Sequence, residues 1–238
     1  MNNNLLVIGD IHNRVALANE YIKRFRDTPV IFMGDYFDDF HDDIIDARNT
    51  AEWLKDSLSK PNRIHLLGNH DVPYLTNGKI YCPGWNPEKN KVINEILDPE
   101  DWDKLKYYHY EKNYYFSHAG LTLKWFGNPL DAKIDPENVE KIVTRAASEL
   151  RAGLNGDPLW AADEMRGGDH DVGGLLWCDW RVLSHIEGIN QIVGHTPSKR
   201  ILRNANEDFE SEHFNVDCFL REVLLISSEG IATVIKQF

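Results

Sequence analysis

The chain of 238 residues is predicted to be an α/β protein in which largely parallel strands are covered on both faces, with its functional groups at the strand carboxyl ends. Two observations carry that expectation. Three short apolar runs, Leu5–Ile8, Val30–Met33 and Ile64–Leu67, each end in a polar cluster: Gly9-Asp10, Gly34-Asp35 and Gly68-Asn69-His70. Between them lie Val15–Arg26 and Ile44–Leu58, where apolar residues such as Val15, Ala18, Tyr21, Ile22 and Phe25 recur near a helical period. Continuous apolar strands alternating with amphipathic helices belong to parallel sheets buried on both faces. In such sheets ligands bind beyond the strand carboxyl ends, which makes neighbours of residues far apart in sequence.

The second half repeats the pattern. Tyr114-Tyr115-Phe116 leads into Ser117-His118-Ala119-Gly120, and Ile189–Val193 into Gly194-His195-Thr196-Pro197. A helix is expected over Pro136–Ala152. Phe214–Asp217, Glu222–Ile226 and Ile231–Ile235 read as antiparallel strands, with Glu229-Gly230 turning between the last two. No repeat, low-complexity tract or linker divides the chain, so residues 1–238 are expected to form one domain, with 120–188 carrying a helical and loop insertion over the site. Within it, Gly167–Gly174 reads as an exposed turn in preference to a substrate-gating loop. Trp160 and Trp177 read as core in preference to stacking platforms.

At this length roughly seven-tenths of the unfolded surface can be buried, so the core needs no disulfides. The three cysteines, Cys82, Cys178 and Cys218, are widely spaced and signal neither a disulfide framework nor a thiolate metal site. The first residues lack the pattern of a secretory signal, and no stretch approaches the roughly 20 apolar residues of a membrane span, so a soluble cytoplasmic protein is expected. The net charge of -12 argues against a surface that binds long nucleic acid.

The strand-end groups Asp10, His12, Asp35, Asn69, His118 and His195 offer carboxylate, imidazole and amide oxygen. That mixture suits two divalent cations of the Mn, Fe, Ni or Zn type, Mn foremost, and not Ca. Two cations need a ligand that touches both, and the carboxylate of Asp35 has two oxygens to do so. Such a pair activates water for attack on a phosphate ester, and the leaving oxygen then needs a proton. His70, beside Asn69, is the natural donor, with Asp38 placed to orient its ring. His65, His109, His185 and His213 receive no role. Asp42, Asp43 and Asp71 read as solvated or capping groups.

The motifs Gly9-Asp10-Ile11-His12, Gly34-Asp35 with Asp38, Gly68-Asn69-His70-Asp71, His118-Ala119-Gly120 and Gly194-His195-Thr196 stand in the order of the calcineurin-like metallophosphoesterases, which the chain resembles over residues 5 to 196. Leu175-Leu176-Trp177 and Asn215-Val216-Asp217 make it most similar to the bacterial and phage serine/threonine phosphoprotein phosphatase branch, including its diadenosine tetraphosphatase-like members. The resemblance implies a two-sheet α/β/β/α sandwich with helices outside. It implies a first metal on Asp10, His12 and Asp35, a second on Asp35, Asn69, His118 and His195, and His70 as acid backed by Asp38. Where that branch carries a phosphate-gripping arginine after the Asp38 position, this chain has Asp39, which leaves Arg181 and Arg166 as candidates for the substrate. A phosphoprotein, a nucleotide or another phosphorylated small molecule is the expected substrate. A dinucleoside polyphosphate or cyclic-nucleotide diesterase, and a catalytically weak metal-dependent binding module, are the alternatives.

Overall fold

The computed structural model describes residues 4–39, 41–126, 134 and 136–237; the remaining positions of the 120–188 insertion, 127–133 and 135, lie outside the described residues. The strands are β1 (Leu5–Ile8), β2 (Val30–Phe32), β3 (Arg63–His65), β4 (Tyr108–Glu111), β5 (Tyr114–Ser117), β6 (Asn190–Val193), β7 (Leu202–Asn206), β8 (Ser211–Asn215), β9 (Glu222–Ile226) and β10 (Ala232–Lys236). The helices are α1 (Val15–Arg24), α2 (Ile44–Leu58), α3 (Val72–Leu75), α4 (Pro87–Ile96), α5 (Pro99–Trp102), α6 (Leu123–Phe126) and α7 (Pro136–Arg151).

The strands form two five-stranded mixed sheets, ordered β10-β9-β1-β2-β3 and β4-β5-β6-β8-β7. In each, three adjacent strands are parallel: β1, β2 and β3 in the first, where β3 forms the edge, and β5, β6 and β8 in the second. Antiparallel partners flank them, β9 with β10 on one side of the first sheet, β4 and β7 at the two edges of the second. The strand-and-helix pattern alone suggests a single sheet between helices. The structure has two sheets: alternate residues of each strand face opposite ways, and one face of the first sheet is covered by the second sheet and the other by helices. Leu5, Val7, Ile31 and Met33 pack with Phe116, Ile192, Phe214 and Val216 of the second sheet. Leu6, Ile8, Val30 and Phe32 instead pack with Ala18 and Tyr21 of α1 and Ala47, Ala51 and Leu54 of α2. Each such Leu, Ile, Val, Phe or Met side chain stabilises the fold by roughly 1.5–3 kcal/mol when fully buried.

α2 starts where Asp43 accepts hydrogen bonds from the Ile45 and Asp46 amides at 2.7 and 3.1 Å, and Asp46 reciprocates at 3.2 Å. The capping role read for Asp43 therefore holds. Asp42 and Asp71 are corrections: Asp42 accepts from Lys89 and Asn13 at 2.9 and 3.0 Å, and Asp71 is fully buried. Trp160 is core, as expected. The 167–174 segment is a turn closed on its neighbours: Glu164 N donates to His170 O at 2.8 Å, and Gly174 N to Ala161 O at 2.8 Å.

His65 illustrates a polar group that the core accepts in one state only. Its Nδ1 lies 2.9 Å from Tyr36 Oη, its Nε2 2.8 Å from Ser57 Oγ, and its ring stacks on Phe32 with centroids 4.5 Å apart. Burial, helped by the Arg63 charge, pushes its pKa down to about 3. An unfolded imidazole takes a proton near 6.5. Between those values the unfolded state holds the extra proton, so stability falls as pH drops from about 6.5 towards 3. Thermal melts across that window should show the loss, and His65→Gln should reduce its slope; an unaltered slope would locate the acid sensitivity elsewhere.

Candidate metal centre

The parallel strands bring their carboxyl ends together where the two sheets meet. Asp10 and His12 follow β1, Asp35 follows β2, Asn69 and His70 lie beyond β3, His118 follows β5 and His195 follows β6. Ligand-type atoms of Asp10, His12 and Asp35 lie within 4.8 Å of one another, and so do those of Asp35, His118 and His195. Asp35 belongs to both groups. Its Oδ2 is 3.6 Å from His12 Nε2 and 3.4 Å from His118 Nε2. Asn69 Oδ1 is 2.8 Å from both His118 Nε2 and His195 Nδ1, which adds an amide oxygen to the second group.

The backbone sets these side chains before any ligand arrives. His12 Nδ1 faces the Phe37 and Asp38 carbonyls at 3.0 and 2.6 Å, and His118 Nδ1 faces the Met33 carbonyl at 2.8 Å. A ring nitrogen against a carbonyl must carry the proton, which leaves Nε2 turned towards Asp35 as the atom that would offer its lone pair to a bound cation. His12, Asn13, Asp35, Asp38 and His195 all have positive φ, from 42° to 67°. Left-handed backbone at such residues costs roughly 1–3 kcal/mol each and persists only where surroundings enforce it. Asp71 is one enforcer: its carboxylate accepts from the Gly68, Asp35 and Tyr36 amides at 2.8, 2.9 and 2.9 Å. Its burial follows from that task.

Two glycines allow the close approach. A Cβ at Gly68 would overlap Asp35 Oδ1 and the Asp35 amide, and one at Gly194 would overlap Asp10 Oδ1. Gly68→Ala is therefore expected to displace Asp35 and weaken divalent-cation binding by about 10- to 100-fold in a calorimetric titration with Mn as the probe, the range for disturbed ligand orientation. Binding at full strength would show that Asp35 tolerates the shift.

The charges at the cluster call for cations. Burial and the neighbouring Asp217 carboxylate raise the Asp10 pKa well above its usual range, and burial and Asp35 raise that of Asp217. Asp35 goes the other way: burial opposes its ionisation, but His118 and His70 outweigh it and hold the pKa well below the usual carboxylate range. Asp10 Oδ1, Asp217 Oδ2 and His195 Nε2 are buried without a hydrogen-bond partner. Orphaned oxygens and nitrogen among crowded carboxylates are costly unless something positive binds them. The donor set fits two divalent cations of the borderline class.

His70 stands beside this cluster. Its Nδ1 lies 3.4 Å from Asp38 Oδ2, and its amide donates to Asp35 Oδ1 at 2.9 Å. Burial works against its protonation, but the Asp35 charge and the Asp38 hydrogen bond outweigh it and raise its pKa well above that of a free imidazole. Asp38 is itself fixed by the Tyr74 hydroxyl at 2.5 Å and the buried Lys89 ammonium at 2.6 Å.

A cleft of about 720 Å³ opens over the cluster. Arg166 lines it, with Nη2 donating to Thr196 Oγ1 at 2.8 Å and Nε 2.9 Å from Asp179 Oδ2. Arg181 does not line this cleft; its guanidinium is paired to both Asp179 oxygens at 2.7 and 3.0 Å. Trp177, expected in the core, lines the cleft edge-on to His195, ring centroids 5.7 Å apart. Sequence reading missed Arg14, Asp217 and Phe219 as lining residues, and Lys89 behind Asp38. Arg14 was the detectable one, since it stands two residues after His12 on the same strand-end loop.

The two mixed sheets bring together, at their strand carboxyl ends, two groups of carboxylate and histidine side chains that could hold metal ions. A family profile for the calcineurin-like phosphoesterases matches residues 4–221, and the chain belongs to that family, which makes it a phosphoester hydrolase. No curated protein matches the chain. Among solved structures it is similar to a candidate diadenosine tetraphosphatase, with a TM-score of 0.52 and 12% identity, over 100% of this chain and 95% of the other. It is also similar to a serine/threonine phosphatase from Saccharomyces cerevisiae, with a TM-score of 0.55 and 13% identity, over 100% of this chain and 81% of the other. Both likenesses are of fold. Among the described residues, no helix is long and apolar enough to cross a membrane.

Proposed function

We propose that the protein hydrolyses phosphate esters with two divalent cations, Mn foremost, held by Asp10, His12 and Asp35 on one side and Asp35, Asn69, His118 and His195 on the other. The observation that carries this reading is that Asp35 alone is common to both donor groups. When bound, such a pair supplies Lewis acidity at the phosphoryl oxygens and a water of lowered pKa. The chain's own residues do the rest. His12 and His118 keep their lone pairs on the cluster through their carbonyl contacts. His70 has Nδ1 engaged by Asp38, so the proton it delivers to the leaving oxygen is the one on Nε2. Lys89 and Tyr74 hold Asp38 still while it does so. Arg166, tied to Thr196 and to the His195 carbonyl at 3.3 Å, fixes the loop that bears His195. A phosphomonoester of the phosphoprotein type in a cytoplasmic setting is the substrate we favour.

A second reading, an ester of a nucleotide, is supported by Trp177 in the cleft, whose ring offers an aromatic surface to a base. The two are separated by turnover of metal-loaded protein on a phosphopeptide, p-nitrophenyl phosphate, its bis-ester and diadenosine polyphosphates. The favoured reading expects the monoesters to be hydrolysed faster. Preference for the bis-ester and the dinucleotide would transfer the assignment to the second reading, and no turnover of any of them would reject both.

A further inference from the structure

We propose that Arg14 is the residue that grips the substrate's phosphoryl oxygens, and that Asp39 is present to position it. The inference rests on the phosphoesterase reading. Arg14 and Asp39 both line the cleft over the cation-binding cluster, on the side of His12 and His70. Arg14 Nη2 donates to Asp39 Oδ2 at 2.8 Å, and the guanidinium lies over the Phe219 ring, 5.2 Å from its centroid. One amino group is thus tied and the plane is packed, which is how a guanidinium is prepared to present its remaining donors in a fixed fork. Arg14 Nη1 is buried without a hydrogen-bond partner, a donor whose lost hydration only an acceptor brought against it can replace.

The other arginine of the cleft is differently placed. Arg166 is engaged by Asp179, Thr196 and the His195 carbonyl, and so serves the scaffold. Charge gives a second reason. Asp39 at the wall of a cleft already carrying Asp35, Asp38 and Asp217 would repel a dianionic phosphate if it stood alone. Paired to Arg14 at 2.8 Å it is neutralised, and the incoming anion meets an ion pair in place of a lone carboxylate. The Asp at position 39 thereby becomes compatible with a monoester.

The fixed fork predicts a dependence on the number of phosphoryl oxygens. A monoester has three non-bridging oxygens and two negative charges to offer Arg14, whereas a diester has two oxygens and one charge.

The experiment is a titration of inorganic phosphate into Mn-loaded protein by calorimetry, together with steady-state kinetics on p-nitrophenyl phosphate and its bis-ester. Arg14→Gln is expected to weaken phosphate binding about 10- to 100-fold, the range for losing a charge-assisted hydrogen bond, and to raise KM for the monoester more than it lowers kcat. The bis-ester should be affected less. Asp39→Asn should weaken phosphate binding in the wild-type background and have no further effect in Arg14→Gln, because a positioning residue acts only through its partner. If Arg14→Gln does not fold, Arg14→Lys carries the test, with charge kept and the fork lost, and an intermediate affinity expected. Phosphate affinity within twofold of wild type in either folded, Mn-loaded variant overturns the proposal, and so does an additive effect of Asp39→Asn. Wild-type protein that binds Mn and phosphate but hydrolyses no ester would instead remove the phosphoesterase reading and leave the Arg14 titration to stand by itself.

Discussion

Asp35→Asn is expected to be the most damaging single substitution for metal content and rate together. Purified protein should fall from two equivalents of Mn to one or fewer, and turnover by about 10³-fold or more, the loss of several kcal/mol of transition-state stabilisation. The reason is geometric. Asp35 is the one residue common to both donor groups, with Oδ2 3.6 Å from His12 Nε2 and 3.4 Å from His118 Nε2. An amide offers one weakly basic oxygen and no charge, so it cannot balance two cations. Asparagine keeps an acceptor for the His70 amide, which Asp35 Oδ1 now accepts at 2.9 Å, so the loop should stay in place. Elemental analysis and thermal melts with and without Mn separate the effects. Wild type should gain melting temperature with Mn by mass action, and the variant much less. Retention of two equivalents by Asp35→Asn would end the shared-ligand assignment.

The groups that carry the proposed chemistry could be read from sequence because each follows an apolar run directly. Where Leu5–Ile8 ends, Asp10 must emerge at the strand's carboxyl end, and the same holds for Asp35, Asn69, His118 and His195. Residues whose place depends on distant contacts were not legible. Asp71 looks like a loop carboxylate until the fold brings Asp35 and Tyr36 amides to it from 36 and 35 positions away. Lys89 looks like a surface lysine of α4 until it meets Asp38 from 51 positions away. β4 and β7 escaped notice because, as edge strands, they are mostly half-buried or exposed and carry no apolar run. The second sheet was not legible, although Leu5 and Val7 face it while Leu6 and Ile8 face the helices. A continuous apolar run does not say whether helices or a second sheet cover each face.

His70→Gln should leave metal content intact and lower kcat by about 10²- to 10⁴-fold, the range for loss of a positioned acid. The ring is outside both cation-binding groups yet beside them, its centroid 5.2 Å from that of His12. Glutamine retains bulk and a hydrogen-bond donor but cannot release a proton. The size of the loss should depend on the leaving group. A p-nitrophenolate departs without much help, whereas an alkoxide such as that of a serine phosphate needs its proton in the transition state. The variant should therefore lose much more rate on an alkyl phosphate than on p-nitrophenyl phosphate. Equal losses on both would mean that His70 stabilises charge at the phosphoryl group and does not donate a proton to the leaving oxygen. Asp38→Asn should then move in the same direction by a smaller factor, since it removes the charge 3.4 Å from His70 Nδ1 while Tyr74 and Lys89 still contact the side chain. Lys89→Met should be costlier to the fold than to the chemistry. It leaves Asp38 and Asp42 as adjacent buried carboxylates without their cation, and breaking such a pair typically costs about 3–5 kcal/mol.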